Sequence, residues 1–175
     1  MTGGGDGGRA RAAAVVVDTP IGRFGVDATA AGVRRVRLPG ARPARSTPGA
    51  GDAAAIAAEA AVQLGQYARG EREQFAVPLD WSELDADQRR VLEALCELAP
   101  FGRTVTYGEL ARATGIDDPR EIGALMARNP LPVLVPCHRV VAADGLGGYG
   151  GGLELKRRLL ELEGALPPRL ELGDV

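Results

Sequence analysis

The sequence predicts an α+β fold: a small α/β N-terminal half followed by a mostly helical C-terminal half that contains a helix-turn-helix. Three observations predict it. Short β-like runs separated by turn signals occupy the region from Val15 to Leu38. Capping patterns that open helices recur after Trp81. Between them lies a Pro-interrupted run, "FAVPLDW", which places a boundary between two subdomains near Trp81. The 175 residues suffice for one domain or two small ones sharing a core. With 45% apolar and 25% charged residues the composition is globular, and only 4% aromatics leave the core to Leu, Val and Ala.

Taken in order, residues 1–12 are Gly-rich and are expected to form a disordered tail. The N-terminal domain is expected over 13–81. Its strands are Val15–Val17, closed by "DTPIG", then Arg23–Asp27, closed by "TAAG", then Val33–Leu38; together they read as an antiparallel meander. The Pro/Gly-rich segment 39–52 is expected to be a flexible loop. Asp52 is expected to cap a helix running to about Ala68, with Ile56, Ala60, Leu64 and Tyr67 on its apolar stripe and Gly70 as its stop. Phe75–Trp81 reads as an edge strand interrupted by Pro78.

The C-terminal domain is expected over 82–166, with a tail over 167–175. Asp85 and Gln88 form a capping-box pattern before an apolar face of Val91, Leu92, Leu95 and Leu98. Cys96 lies four residues after Leu92 and is expected to be a buried, inert thiol. Thr106 and Glu109 make a second capping box, and Gly115 ends that helix. Asp118, Pro119 and Glu121 start the next helix, which stops at Asn129-Pro130. Two short helices joined by a tight turn fit a helix-turn-helix. On its second helix Gly123, Ala124 and Ala127 share a face, with Arg120 and Arg128 near the ends. Such a small face suits close approach to a DNA groove, with arginines reaching phosphates or an opened base stack, or equally packing against another helix.

Charge and side-chain counts exclude several classes. A net charge of −2 argues against a protein that coats nucleic acid by charge alone, though not against a local basic patch. Two Cys and one His cannot supply a four-ligand Cys/His zinc site. A disulfide framework is not expected, which points to a reducing cytoplasm. No apolar run approaches the roughly 18 residues of a membrane span, and "MTGGGDGGRARAAAVVV" is not read as a signal peptide.

The chemistry concentrates in "PVLVPCHRVV". Val133, Leu134 and Val135 read as a short buried strand that delivers Cys137 to its end. Burial raises a thiol's pKa, so a nucleophilic Cys137 needs a nearby base, and His138 is the single His of the chain. Neighbours on a strand point apart, so a water relay or a helical turn starting at Cys137 would have to connect them. A carboxylate that orients the base would help. Glu163, in the last turn of the helix "LELKRRLLELEG", is a candidate, because a negative charge there opposes the helix dipole by about 0.3–1 kcal/mol. A structural Cys–His pair and a solvated Glu are the competing readings. The loop "ADGLGGYGGGLE" surrounds Tyr149 with glycines and suits close approach of a ligand to backbone, or is a plain surface loop. It lacks the features of a phosphate loop.

Together these segments resemble the O6-alkylguanine-DNA alkyltransferase family over roughly Val15 to Leu166. The resemblance is carried by "FGRTVTYGELA", "ARNPLPVLVPCHRV" and "GGYGGGLELKRRLLELEG", and more weakly by "TPIGRFGV" and "YARGEREQFAVPLD". It implies an RNase H-like N-terminal domain and a reaction that needs no metal or organic cofactor. It implies direct, single-turnover transfer of an alkyl group from O6-alkylguanine in duplex DNA, and possibly O4-alkylthymine, to Cys137 in a monomer. His138, through water, and Glu163 would generate the thiolate. Asn129 would fix the active-site backbone, and Tyr107 would bind or protonate the leaving guanine. Arg120 would fill the gap left by the flipped base, beside a DNA face of Thr106, Gly123, Ala124, Ala127 and Arg128. Val135, Tyr149, Gly150 and Gly151 would line the pocket. Where several relatives carry Ser after the loop Tyr this chain has Gly150, and where some carry Arg on the recognition helix it has Ala127. Two rivals remain at this stage: a damage-flagging DNA-binding protein that transfers nothing, against which Cys137 counts, and a thiol enzyme acting on a small molecule.

Overall fold

The computed structural model describes residues 12–42 and 50–168. Most of the two predicted tails, and residues 43–49 of the predicted loop over 39–52, therefore fall outside the described residues. Strands β1 (Ala13–Thr19), β2 (Gly22–Thr29) and β3 (Gly32–Arg37) form an antiparallel sheet in the order β1-β2-β3. The predicted meander is present; β1 and β2 are a few residues longer than their apolar patterns, and β3 is the predicted length, shifted one residue toward the N-terminus. Phe24, Val26 and Ala28 of β2 and Val33 and Val36 of β3 are buried.

Helix α1 (Asp52–Ala68) packs on this sheet. Its buried face is largely alanine, with Leu64 and Tyr67 as the large residues. Asp52 is not its cap. Gly51 takes the cap position with φ 67°, and Asp52 is the first helical residue, where its charge still favours the N-terminal dipole. The C-terminus closes as expected: Gly70 at φ 73° lets its N–H reach the Tyr67 carbonyl while the Glu71 N–H reaches that of Gln66.

The run Phe75–Trp81 does not form an edge strand. One bridge, between Val33 and Leu79, is all that pairs. Pro78 has no N–H and contributes only its carbonyl, to Val33 N–H at 2.8 Å. The approach is close because Gly32 has no side chain; a Cβ there would lie 2.6 Å from the Pro78 oxygen.

Helices α2 (Ala86–Leu98), α3 (Tyr107–Thr114), α4 (Pro119–Ala127) and α5 (Leu153–Leu162) make up the second half. Asp85 caps α2 by accepting from the Gln88 N–H at 2.7 Å, but Gln88 does not complete the box. Its side chain instead donates to the Arg128 carbonyl at 3.0 Å and ties α2 to the end of α4. The Thr106–Glu109 box is complete, and Gly115 takes a left-handed conformation after α3. Asp118 caps α4 and Pro119 opens it. Cys96 is exposed rather than buried: the inward stripe of α2 is Val91, Leu92 and Leu95, and Cys96 lies one residue past it. Partial desolvation still pushes its thiol pKa up, so it stays protonated at neutral pH.

A two-stranded parallel ribbon, β4 (Val105–Thr106) with β5 (Val140–Val141), is a feature no local pattern announced. It joins the start of α3 to the segment just after the Cys-His pair. One continuous core runs through Val26 and Val36 of the sheet, Leu64 and Tyr67 of α1, Leu92 of α2, Leu110 of α3, Ile122 of α4 and Leu159 of α5.

Candidate active site

Cys137 is presented by a turn, not a strand. Pro132 and Val135 bridge across a tight reversal, with Val133 at φ 75°. The apolar run is buried as expected, but Pro132 and Pro136 cannot donate to a ladder, and the chain turns between them. A β-branched residue in the left-handed region is strained, and the surroundings hold it there. The Val135 N–H donates to Leu131 O at 2.8 Å, and the Cys137 N–H donates to Val135 O at 2.8 Å. Asn129 braces the same loop from inside: its Nδ2 donates to Val135 O at 3.0 Å and its Oδ1 accepts from the Leu131 N–H at 2.9 Å. The loop is therefore pinned at both ends before any ligand arrives.

From Cys137 the chain enters a single 3-10 turn over Cys137–Arg139. That turn is the helical alternative to a strand, and it lets His138 and Arg139 point the same way, onto Glu163. The His138 Nε2 lies 2.7 Å from Glu163 Oε1. Arg139 Nε donates to Oε2 at 2.8 Å and its Nη2 to Oε1 at 3.0 Å. Tyr67 of α1 adds a fourth bond, its hydroxyl donating to Oε1 at 2.6 Å. Glu163 caps the C-terminus of α5, where the dipole opposes its charge; the four donors outweigh that.

These contacts set the protonation states. Burial works to raise the pKa of Glu163, but the bonds from His138 and Arg139 win and hold it at about 2. Burial lowers that of His138, with Glu163 opposing, so the ring is neutral at neutral pH. A carboxylate can only accept, so the proton on the ring sits on Nε2 and Nδ1 carries the lone pair. Nδ1 is buried with no hydrogen-bond partner among the described residues, the arrangement a general base requires. Burial pushes the Cys137 thiol up to about 11, against pulls from Asn129 and backbone amides. The resting sulfur is thus a thiol that must lose its proton to react.

Cys137 lines a cavity of about 370 Å³ with Tyr107, Gly123, Met126, Ala127, Tyr149 and Gly150. The Tyr107 hydroxyl lies 3.4 Å from the Gly148 carbonyl at its edge, and burial raises its pKa, so it is a proton donor at neutral pH. Tyr149 is half-buried and meets His138 in an edge-to-face contact, ring centroids 6.4 Å apart, and its hydroxyl has no hydrogen-bond partner among the described residues. Gly151 is required by packing, because a Cβ there would meet Leu155, Leu38 and the Tyr149 ring at 2.8–3.1 Å. At Gly150 a Cβ would meet nothing within 4 Å.

The predicted small face of α4 divides between two cavities. Gly123 and Ala127 line the one that holds Cys137. Ala124 and Arg128 line a neighbouring cleft of about 630 Å³ with Asp85, Asp117 and Glu121. Arg120 is exposed near the start of α4, and Thr106 is committed to its capping box. Val135 is fully buried and contributes its carbonyl to the Asn129 brace.

Sequence reasoning missed three residues of this centre. Tyr67 lies too far along the chain for any local signal. Arg139 is adjacent to the pair and carries a buried charge, but nothing in its spacing tied it to Glu163. Lys156 is wholly buried, its Nζ donating to Val140 O at 2.6 Å and Gly148 O at 3.0 Å, and so clasps β5 to the Gly-rich loop. Burial lowers its pKa to about 8, with Cys137 opposing.

Residues 86–165 match the family model described as the DNA-binding domain of 6-O-methylguanine DNA methyltransferase. The chain is 59% identical over 81 residues to a methylated-DNA–protein-cysteine methyltransferase of Methanopyrus kandleri, an alignment that spans 46% of this chain and 60% of that protein. It is 43% identical over 150 residues to a DNA base-flipping protein of Thermus thermophilus, spanning 85% of this chain and 97% of that one. Its fold is similar to that of the Mycobacterium tuberculosis O6-methylguanine methyltransferase, with a TM-score of 0.75 and 35% identity over 90% of this chain and 95% of the other. It is also similar to the M. tuberculosis OGT solved in complex with DNA, with a TM-score of 0.74 and 35% identity over 86% of this chain and 92% of the other.

Proposed function

The chain belongs to the O6-methylguanine-DNA methyltransferase family, and from that premise we propose that it repairs alkylated DNA by moving the alkyl group from guanine O6 to Cys137, once per molecule. The observation that carries this reading is the arrangement at Cys137: a buried thiol on a cavity wall, followed by a His whose Nε2–H is fixed on Glu163 and whose Nδ1 lone pair is free.

In the proposed reaction His138 Nδ1 takes the Cys137 proton through an intervening water. The sulfur attacks the O6-alkyl carbon in line, an S–C bond forms and the C–O6 bond breaks. The electron pair goes to the purine, which takes a proton from Tyr107 or from water as it leaves. Imidazolium formed on His138 is stabilised by the Glu163 carboxylate. The product thioether is a poor leaving group, so the protein is consumed.

A base inside a duplex cannot reach the cavity, so the target nucleotide is flipped out. We assign α3 and α4 to a helix-turn-helix, with Gly123 and Ala127 against the DNA, Arg120 in the gap left by the base, and Arg128 on the backbone. Tyr149, Gly150 and Gly151 hold the base beside Val135. We read the N-terminal half as RNase H-like and the chain as a cytoplasmic monomer. No described helix is long and apolar enough to cross a membrane.

Base flipping without transfer is the reading that the Thermus relative's name favours. Cys137 separates the two. Incubating the protein with a duplex that contains O6-methylguanine should add one methyl, about 14 Da, to the peptide carrying Cys137 and to no other, and only once. Folded protein that binds the lesion and gains no mass would establish flipping alone.

A further inference from the structure

A second cavity also reaches Cys137. It occupies about 430 Å³ and shares Met126, Ala127, Cys137, Tyr149 and Gly150 with the first. Its outer wall comes from the N-terminal half: Arg35 and Arg37 on β3, and Arg42 just beyond it. Among the described residues, no carboxylate lines it.

The wall is fixed relative to the nucleophile. The Val36 N–H between the two β3 arginines donates to the Pro130 carbonyl at 2.8 Å, joining β3 to the segment that leads into the Cys137 turn. Leu38, at the end of β3, packs against Gly151. The charges differ in how far they are already used. Arg37 is paired with Asp27 at 2.5 Å and is largely neutralised. Arg35 is exposed, with only Glu83 at 3.9 Å, and Arg42 is exposed with no ion-pair partner among the described residues. A chain of net charge −2 that handles DNA must concentrate its positive charge where the polyanion passes.

We infer that the groove formed by β3, Arg35 and Arg42 is a phosphodiester track, which holds the DNA backbone beside the cavity that takes the flipped nucleotide. This rests on the DNA-repair reading above and extends the DNA interface from the helical half to the sheet. In this role the N-terminal half grips the strand that carries the lesion.

The test compares wild type with the double variant Arg35→Gln/Arg42→Gln, and with Arg89→Gln/Arg158→Gln, which removes the same charge outside the groove. The probe is a duplex containing one O6-methylguanine, and binding is measured as a function of salt. Two lost phosphate contacts should flatten the log–log salt slope by about 1.8 if the backbone is held as duplex and about 1.4 if as single strand. Affinity at low salt should fall by about 10–100-fold. The Arg89/Arg158 pair should leave the slope as in wild type. An unchanged slope in the Arg35/Arg42 variant, or the same flattening in both variants, would overturn the track while leaving repair intact. A matching loss of reaction with the free base O6-methylguanine, which has no phosphate, would put the arginines in the base pocket and also overturn it. Wild-type protein that binds no duplex would sink the repair reading and the track together.

Discussion

Glu163 should carry a measurable share of the acid stability of the fold. In the unfolded chain its carboxyl titrates near 4.5, and in the folded protein near 2. The gap of about 2.5 units corresponds to roughly 3 kcal/mol, at about 1.36 kcal/mol per unit. Because the folded pKa is depressed, that stabilisation is fully present above about pH 4.5 and is lost as the pH falls toward 2. About 2 kcal/mol of it should be gone by pH 3. In Glu163→Gln the titration disappears, and the buried Arg139 guanidinium loses its anion, so at pH 7 the variant should be less stable by about 3–5 kcal/mol. The assay is denaturant unfolding of both proteins at intervals from pH 7 to pH 3. The wild-type curve should fall toward the variant's below pH 4.5, closing about 2 kcal/mol of the gap. Two curves that stay parallel over that range would show that Glu163 is not held as a buried, multiply bonded carboxylate, and the basis for assigning the Nδ1 lone pair of His138 would go with it.

Tyr67→Phe removes one of the four donors on Glu163 without touching Cys137. The freer carboxylate should hold a proton on His138 more strongly, moving the acid limb of the alkyl-transfer rate up by about half a pH unit; a lower rate with an unmoved limb would mean that Tyr67 only packs. Val133→Gly should cost only about 1 kcal/mol in chemical denaturation, because relief of the left-handed strain offsets part of the lost burial, whereas Val135→Gly, with no such relief, should cost several times more. Gly147→Ala should slow transfer sharply and lower the melting temperature, since at φ 68° its Cβ would meet the Tyr107 ring at 2.9 Å, while Gly150→Ala, whose Cβ meets no protein atom within 4 Å, should keep the melting temperature of the parent.

Much of the fold was legible because its signals are local. The Thr106–Glu109 box, the Asp118-Pro119 start and the Gly70 and Gly115 stops each depend on groups within a few residues, and all form as read. The readings that failed needed information from elsewhere. "PVLVP" looks like a strand by composition, but with prolines at both ends a strand would leave its ladder unpaired, and Asn129 offers a turn its bonds instead. Gln88 completes a box on paper, yet the Arg128 carbonyl, 40 residues away, is the acceptor its side chain meets. Cys96 was placed by helical spacing alone, which cannot tell which side of the stripe faces solvent.

The sequence by itself determined the chemistry: one His beside a Cys, a helix-bound Glu, a Gly-rich loop around Tyr149, and helices with their own start and stop signals. These follow from residue type and short spacing, which a chain carries before it folds. The tertiary structure decided whether that chemistry is switched on. Only packing brings Tyr67 of α1, Arg139 and His138 onto one carboxylate across 96 residues of chain, buries Lys156 as a clasp, and sets β3 with its arginines beside the Cys137 turn. The reason is physical. A charge or thiol changes its protonation when it is taken out of water and given specific partners, and both are properties of the folded interior rather than of any stretch of sequence.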